Sequence, residues 1–374
     1  MIEPAIPPRS LCILRLSALG DVCHVVPIVR TVQRAWPNTA ITWVIGRLEA
    51  RLVGQLPGVE FIIIDKRSLT GSVRSLRAAL RGRRFDVLLH MQLALRASLY
   101  AALIPARVRL GFDRARAREL QWLFTNRRIA ARRHEHVLDS FFGFPAALGI
   151  QQRELRWDLP RPTAAEQWAR TQIPDAVRTL IVSPCSSHVL RNWPAPRYAA
   201  VIAHAARRHD LRVLLCGGPG EFERAMGAQI QRAAGVPLVN LIGADTLPQL
   251  LALLARATVL LAPDSGPAHM ATMVGTPVLG LYAATRVERT GPYLSRQWCI
   301  DRYAEAALRF RGRPAEQLPW AEKIEEPGVM ELIDVESVCA RLDALLAAGA
   351  PDPAAAPAQL PAPATIGAPG RSGA

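Results

Sequence analysis

The chain has 374 residues, half of them apolar, with a formal net charge of +15, and that length exceeds one ordinary core, so two domains are expected. No run of roughly 18 apolar residues is present to span a bilayer, and the first residues lack the basic-then-apolar layout of a secretory signal. The six cysteines (Cys12, Cys23, Cys185, Cys216, Cys299 and Cys339) form no Cys-x-x-Cys pair, which argues against a zinc or disulfide framework and for reduced, buried thiols in a cytoplasmic protein.

Residues 11–16 form a short apolar run after prolines, the first expected strand. A tight turn, Ser17-Ala-Leu-Gly20-Asp21, leads into an apolar-periodic helix over 22–36, where Pro27 predicts a kink or a late start. Strand, glycine turn and helix in this order open a Rossmann-like domain. Gly20 stands alone, without the G-x-G-x-x-G fingerprint, so a nicotinamide oxidoreductase is disfavoured. Asp21 is open to two readings: a helix cap, or a functional carboxylate at the carboxyl end of the first strand, where open α/β sheets hold ligands. Strands are then expected at 40–45, 59–64, 85–90 and 108–111, and helices at 72–83, 93–104 and 136–148. Between residues 66 and 133, 17 Lys or Arg face only Asp86, Asp113 and Glu119, an excess of +14. Nearly all are arginine, whose planar fork suits carboxylates and phosphates, so a polyanionic ligand or membrane face is expected there.

The pattern pauses at Pro160-Arg-Pro162 and again at Ile173-Pro174. This divides the chain into domains 1–172 and 173–347, with an Ala/Pro-rich tail, 348–374, expected to be disordered. The second half repeats the alternation, with strands at 179–182, 211–216, 236–242, 259–262 and 277–282. Helices are expected at 198–208, from the Gly217-Gly-Pro-Gly-Glu221 turn to 234, at 247–257, 266–274 and 334–347. Three polar clusters follow strand ends: Ser186 and Ser187 with Arg191 and Trp193; Glu221; and Asp264-Ser265-Gly266-Pro-Ala-His269. In a parallel sheet all carboxyl ends share one edge, so the three converge. Hydroxyls, an arginine, a carboxylate and a helix N-terminus together suit a nucleoside diphosphate. His269, four residues after Ser265, lies on about the same helical face.

Arg15-Leu-Ser17-Ala-Leu-Gly20-Asp21, Asn192-Trp193-Pro194, Gly217-Gly-Pro-Gly-Glu221 and Asp264-Ser-Gly-x-x-His269 together resemble glycosyltransferase family 9, the lipopolysaccharide heptosyltransferases, most closely heptosyltransferase I. The resemblance runs from about residue 11 to 346. It implies an α/β GT-B fold of two Rossmann-like domains facing across a cleft. It also implies an ADP-heptose donor on the second domain and an acidic inner-core lipid A acceptor on the first. The reaction would invert the anomeric carbon with neither metal nor cofactor. By the same resemblance, Asp21 matches the general base. Ser186, Ser187, Arg191, Trp193, Glu221, Asp264, Ser265, Gly266 and His269 fall on the donor side. Ser17, Gly20, Arg96 and Arg118 fall on the acceptor side. Arg191 stands where lysine is usual, and Tyr282-Ala-Ala-Thr285-Arg286 departs from the family's Gly-Pro-Thr-Asp. Such an enzyme is expected to be a cytoplasmic monomer held peripherally on the inner membrane. Other readings are a family transferase with another nucleotide sugar or acceptor (O-antigen, capsule or protein), or a non-catalytic nucleotide- or lipid-binding protein. A nucleic-acid binder is disfavoured because few aromatic side chains stand among the arginines.

Overall fold

The computed structural model describes residues 7–349, and the tail from residue 350 on lies outside them. Twelve strands build two six-stranded sheets. The first sheet contains β1 (Ser10–Leu14), β2 (Ala40–Gly46), β3 (Val59–Ile64), β4 (Phe85–His90), β5 (Ala106–Gly111) and β6 (Arg127–Arg128), in the order β3-β2-β1-β4-β5-β6. The second contains β7 (Thr179–Val182), β8 (Arg212–Leu215), β9 (Val239–Asn240), β10 (Val259–Pro263), β11 (Val278–Tyr282) and β12 (Ile300–Asp301), in the order β9-β8-β7-β10-β11-β12. Neighbouring strands are parallel throughout. Each half therefore winds outward from its first strand, returns, and winds to the other side, the doubly wound order.

Central strands β10 and β11 are buried along their whole length, as parallel strands covered on both faces must be. Strands β6 and β9 each pair over only two residues, which leaves little open edge. Residues 236–242 were expected to be mostly strand, but the ladder stops at Asn240. There the Asn240 side-chain Oδ1 accepts the Ile242 N–H at 3.1 Å and forms a turn, while the Leu241 N–H still donates to the Leu215 carbonyl at the end of β8 at 2.8 Å. The basic helix begins earlier than its charge pattern suggests, at Leu69–Ala79, because Ser68 caps it by accepting the Gly71 N–H.

The first helix spans Leu19–Ala35 and runs straight through Pro27. A proline lacks the N–H that would bond the carbonyl four residues back, here Cys23. The Trp157 indole Nε1–H donates to that carbonyl at 2.8 Å, so the unpaired acceptor is satisfied and the helix continues. This helix packs on Val137–Ala147 of its own half and on Gly266–Met273 of the other. Its buried Val22, Val25 and Val29 belong to the same apolar cluster as Ala268, Met270 and Ala271. The two halves thus share a continuous core beneath the cleft. Among the described residues, no helix is long and apolar enough to cross a membrane.

Candidate active site

In each sheet the winding reverses between two neighbouring strands, β1 and β4 in the first, β7 and β10 in the second. The crevice outside their carboxyl ends is where such sheets hold ligands. Here the two crevices meet. A Cβ built on Gly20 would clash with Cδ2 of His269, and one on Gly266 would lie 3.2 Å from Cβ of Leu19. Only a residue without a side chain allows the turn after β1 to touch His269.

Asp21 closes the helix start and commits only one of its carboxylate oxygens to doing so. Its Oδ2 accepts the Ala18 N–H at 3.2 Å, closing the helix start, and the same oxygen pairs with Arg15. Its Oδ1 has no hydrogen-bond partner among the described residues, and the side chain is 29% exposed. Arg15 is fixed in turn by the Met91 carbonyl at 2.5 Å and by the Phe141 ring, 5.3 Å from its guanidinium carbon. Gln92 locks the turn from β4. Its Oε1 accepts the Leu16 N–H at 2.7 Å and its Nε2–H donates to Ser17 Oγ at 3.1 Å. The carboxylate is thereby held with one oxygen free to take a proton.

Across the cleft, Ser186 Oγ–H donates to the Asp264 carbonyl at 2.9 Å, and its N–H donates to Asn192 Oδ1 at 2.6 Å. The Asp264 carboxylate accepts from Thr290 Oγ at 3.2 Å and faces Arg191 Nη1 at 3.4 Å. Arg191 is also held by Glu325 at 2.6 Å, so its charge is shared between two carboxylates. Ser265 Oγ and His269 Nδ1 are buried with no hydrogen-bond partner in the structure, beside the N-terminus of the Gly266–Met273 helix. Buried polar atoms of this kind suit a ligand that completes them. Ser187 and Glu221 are exposed, Glu221 as the first residue of the Glu221–Ala233 helix. Glu223 instead closes the glycine turn, accepting the Gly218 N–H at 2.6 Å.

His269 is also the end of a row of three histidines packed edge to face between the halves. Its ring centroid lies 4.7 Å from that of His24, which lies 5.4 Å from that of His136. His136 Nε2–H donates to the Gly291 carbonyl at 2.9 Å and its Nδ1 accepts the Leu138 N–H. These partners assign a neutral ring. Burial pushes His136 down to about 3 and His24 well below the usual imidazole range. Burial also lowers His269, against the opposing pull of the Asp264 and Asp21 carboxylates.

Ser17, Gly20, Asp21, Ser186, Arg191, Asp264, Ser265, Gly266 and His269 therefore gather at the two reversal points. Arg96, on the Leu95–Leu103 helix after β4, donates to the Tyr100 hydroxyl at 3.3 Å, and Arg118 is exposed on the loop after β5. Trp193 is placed differently from the expectation that it faces a donor. It is fully buried in the second core and its indole N–H donates to the Ile333 carbonyl, because the Pro194 turn directs it inward. Residues overlooked in the sequence follow β11. Half-buried Arg289 lies within electrostatic reach of Asp21, Asp264, Arg118 and Arg191. Lys323 lies near Arg191, Asp264 and Arg289. The carboxyl-edge rule could have flagged Arg289 and Thr290, which follow a strand end; Lys323 carries no local signal.

The profile of glycosyltransferase family 9 (heptosyltransferase) matches residues 73–318. The chain is 39% identical to the lipopolysaccharide core heptosyltransferase OpsX of Haemophilus influenzae, over 90% of this chain and 97% of that protein. The chain belongs to glycosyltransferase family 9. Among solved structures, a family 9 glycosyl transferase from Veillonella parvula superposes with a TM-score of 0.75 at 19% identity, covering 93% of this chain and all of that one. Escherichia coli heptosyltransferase WaaC with ADP superposes with a TM-score of 0.66 at 19% identity, covering 90% and 99%. The fold is GT-B, and the protein is a glycosyltransferase.

Proposed function

We propose that this transferase moves a heptose from ADP-heptose to the Kdo–lipid A inner core of lipopolysaccharide, by a single displacement that inverts the anomeric carbon. The observation that carries this reading is the meeting of Asp21, with its free Oδ1, and the Gly266 helix end across the Gly20–His269 contact. The similarity to a lipopolysaccharide core heptosyltransferase supports the choice of substrates. An acceptor hydroxyl oxygen attacks the anomeric carbon from the face opposite the diphosphate while its proton passes to Asp21 Oδ1. The bond from that carbon to the diphosphate oxygen breaks, and ADP leaves with the electron pair. Its growing negative charge is met by the helix N-terminus, Arg191 and Arg289, which act more strongly in the transition state than before it. In this reading the neutralisation comes from amides and arginines, and neither metal nor cofactor takes part. A lipid-borne acceptor places the enzyme, as a monomer, against the inner face of the inner membrane.

Thermal stability titrated with ADP, ADP-heptose, UDP-sugars and GDP-sugars tests the donor, because a ligand of the folded state raises apparent stability by mass action. ADP and ADP-heptose alone are expected to do so; a response to UDP- or GDP-sugars alone would reassign the donor. Asp21→Asn keeps an oxygen for the Ala18 N–H and is expected to lose roughly 10²- to 10⁴-fold in kcat while retaining its response to ADP. Near-full turnover would remove Asp21 as the base.

A further inference from the structure

We propose that an anionic lipid bilayer docks on the face of the first half formed by the Leu95–Leu103 helix and the turn Gln121–Phe124. The inference rests on the transferase reading for its choice of acceptor, but its surface is a separate observation. Five large apolar side chains are open to solvent within this stretch: Leu95 at 43%, Leu99 at 45%, Leu120 at 52%, Trp122 at 47% and Leu123 at 58%. The helix and the turn pack together, so these exposed apolar side chains lie on adjoining elements. The neighbouring Leu69–Ala79 helix packs on the same Leu95–Leu103 helix and adds exposed Leu69.

Charge selects the occupant. Ion pairs engage Lys66, Arg67, Arg83, Arg116 and Arg132. Arg74, Arg77, Arg81, Arg114 and Arg118 are exposed and have no carboxylate partner among the described residues. A second copy of this chain would bring the same uncompensated arginines against themselves. An anionic membrane supplies both halves of the match, acyl chains for leucine and tryptophan and phosphates for the guanidinium forks.

The face is also wired to the reaction site. Buried Gln121, at the start of the turn, donates to the carbonyls of His90 at 2.9 Å and Gln92 at 3.1 Å. Gln92 in turn holds the Leu16–Ser17 backbone and hydroxyl beside Asp21. Glu119 accepts the Leu95 N–H at 2.5 Å, tying the turn's loop to the helix start. A bilayer seated on this face would present head-group sugars at the lip of the cleft on the Asp21 side.

The test is co-sedimentation of the full chain with phosphatidylcholine vesicles and with vesicles that also contain phosphatidylglycerol, at low and high salt. The wild type should partition onto the phosphatidylglycerol vesicles and be released by salt. Trp122→Ser with Leu123→Ser, both at exposed positions, should lower partitioning by roughly tenfold or more. The double variant should keep the ADP-induced thermal shift and its turnover on a delipidated acceptor. A wild type that ignores phosphatidylglycerol vesicles, or a double variant that binds them equally, overturns the proposal. A wild-type dimer in sedimentation that the double variant dissociates, without vesicle binding, would assign the face to self-association and equally overturn it. An intact thermal response to ADP alongside either failure would show that the donor reading survives on its own.

Discussion

Arg289 stands among four charged groups of the cleft, two carboxylates and two arginines, yet forms no ion pair among the described residues. A guanidinium held this way is ready for a diphosphate, because its forked donors match phosphate oxygens. Arg191 is less free, since Glu325 and Asp264 already hold it. Arg289→Ala is therefore expected to weaken ADP binding by roughly tenfold or more, the loss of one charge-assisted hydrogen bond. Arg289→Lys should recover only part of it, as a point charge cannot bind two oxygens side by side. Isothermal titration with ADP decides; equal affinity in Arg289→Ala would remove the residue from the donor site. Arg289 is marked in the sequence only by its place after the end of β11, whereas Asp264 to His269 announce themselves by a strand, a helix start and a polar run.

At the scale of elements, the Leu19–Ala35 helix packs on both halves, and its continuity depends on a residue more than a hundred positions away. Trp157→Phe would retain most of the ring's packing but leave the Cys23 carbonyl without a donor inside a buried helix. Urea unfolding should show a loss of about 1–3 kcal/mol, the cost of one buried unsatisfied group. A loss within the noise of a surface substitution would mean that the helix accommodates Pro27 without the indole. The proline itself was visible as a problem in the sequence; its solution was not, because it lies in tertiary contact.

At the scale of the molecule, the halves are latched by hydrogen bonds that cross between them. His136 meets Gly291, the Tyr293 hydroxyl donates to Asp139 at 3.0 Å, and the Trp320 indole donates to the Glu135 carbonyl at 2.8 Å. His136 and His24 stay neutral when folded but bind a proton near pH 6.5 when unfolded. Because the unfolded chain binds more protons, stability present above that pH is lost as pH falls below it, by about 1.4 kcal/mol per unit for each such histidine. His136→Gln, whose amide can still donate to Gly291, should flatten the fall in melting temperature between about pH 6.5 and 5.5, where most carboxylates remain ionised. Parallel curves for variant and wild type would show that His136 takes up its proton without cost.

Local pattern was enough for the alternation of strands and helices, the two-half architecture and the loops after β1, β7 and β10. Apolar runs, turn residues and helix starts act over a few neighbours, and the carboxyl-edge rule converts their order into a place. The extent of β9 was blurred because a strand ends where its partner and a side-chain turn end it, not where apolar residues stop. Tertiary structure alone decided that Trp193 packs inward, that Gly20 must be bare for His269 to approach, and that Arg289 enters the cleft. Each depends on groups brought together from distant positions, and distance along the chain carries no trace of closeness in space until the cores have packed.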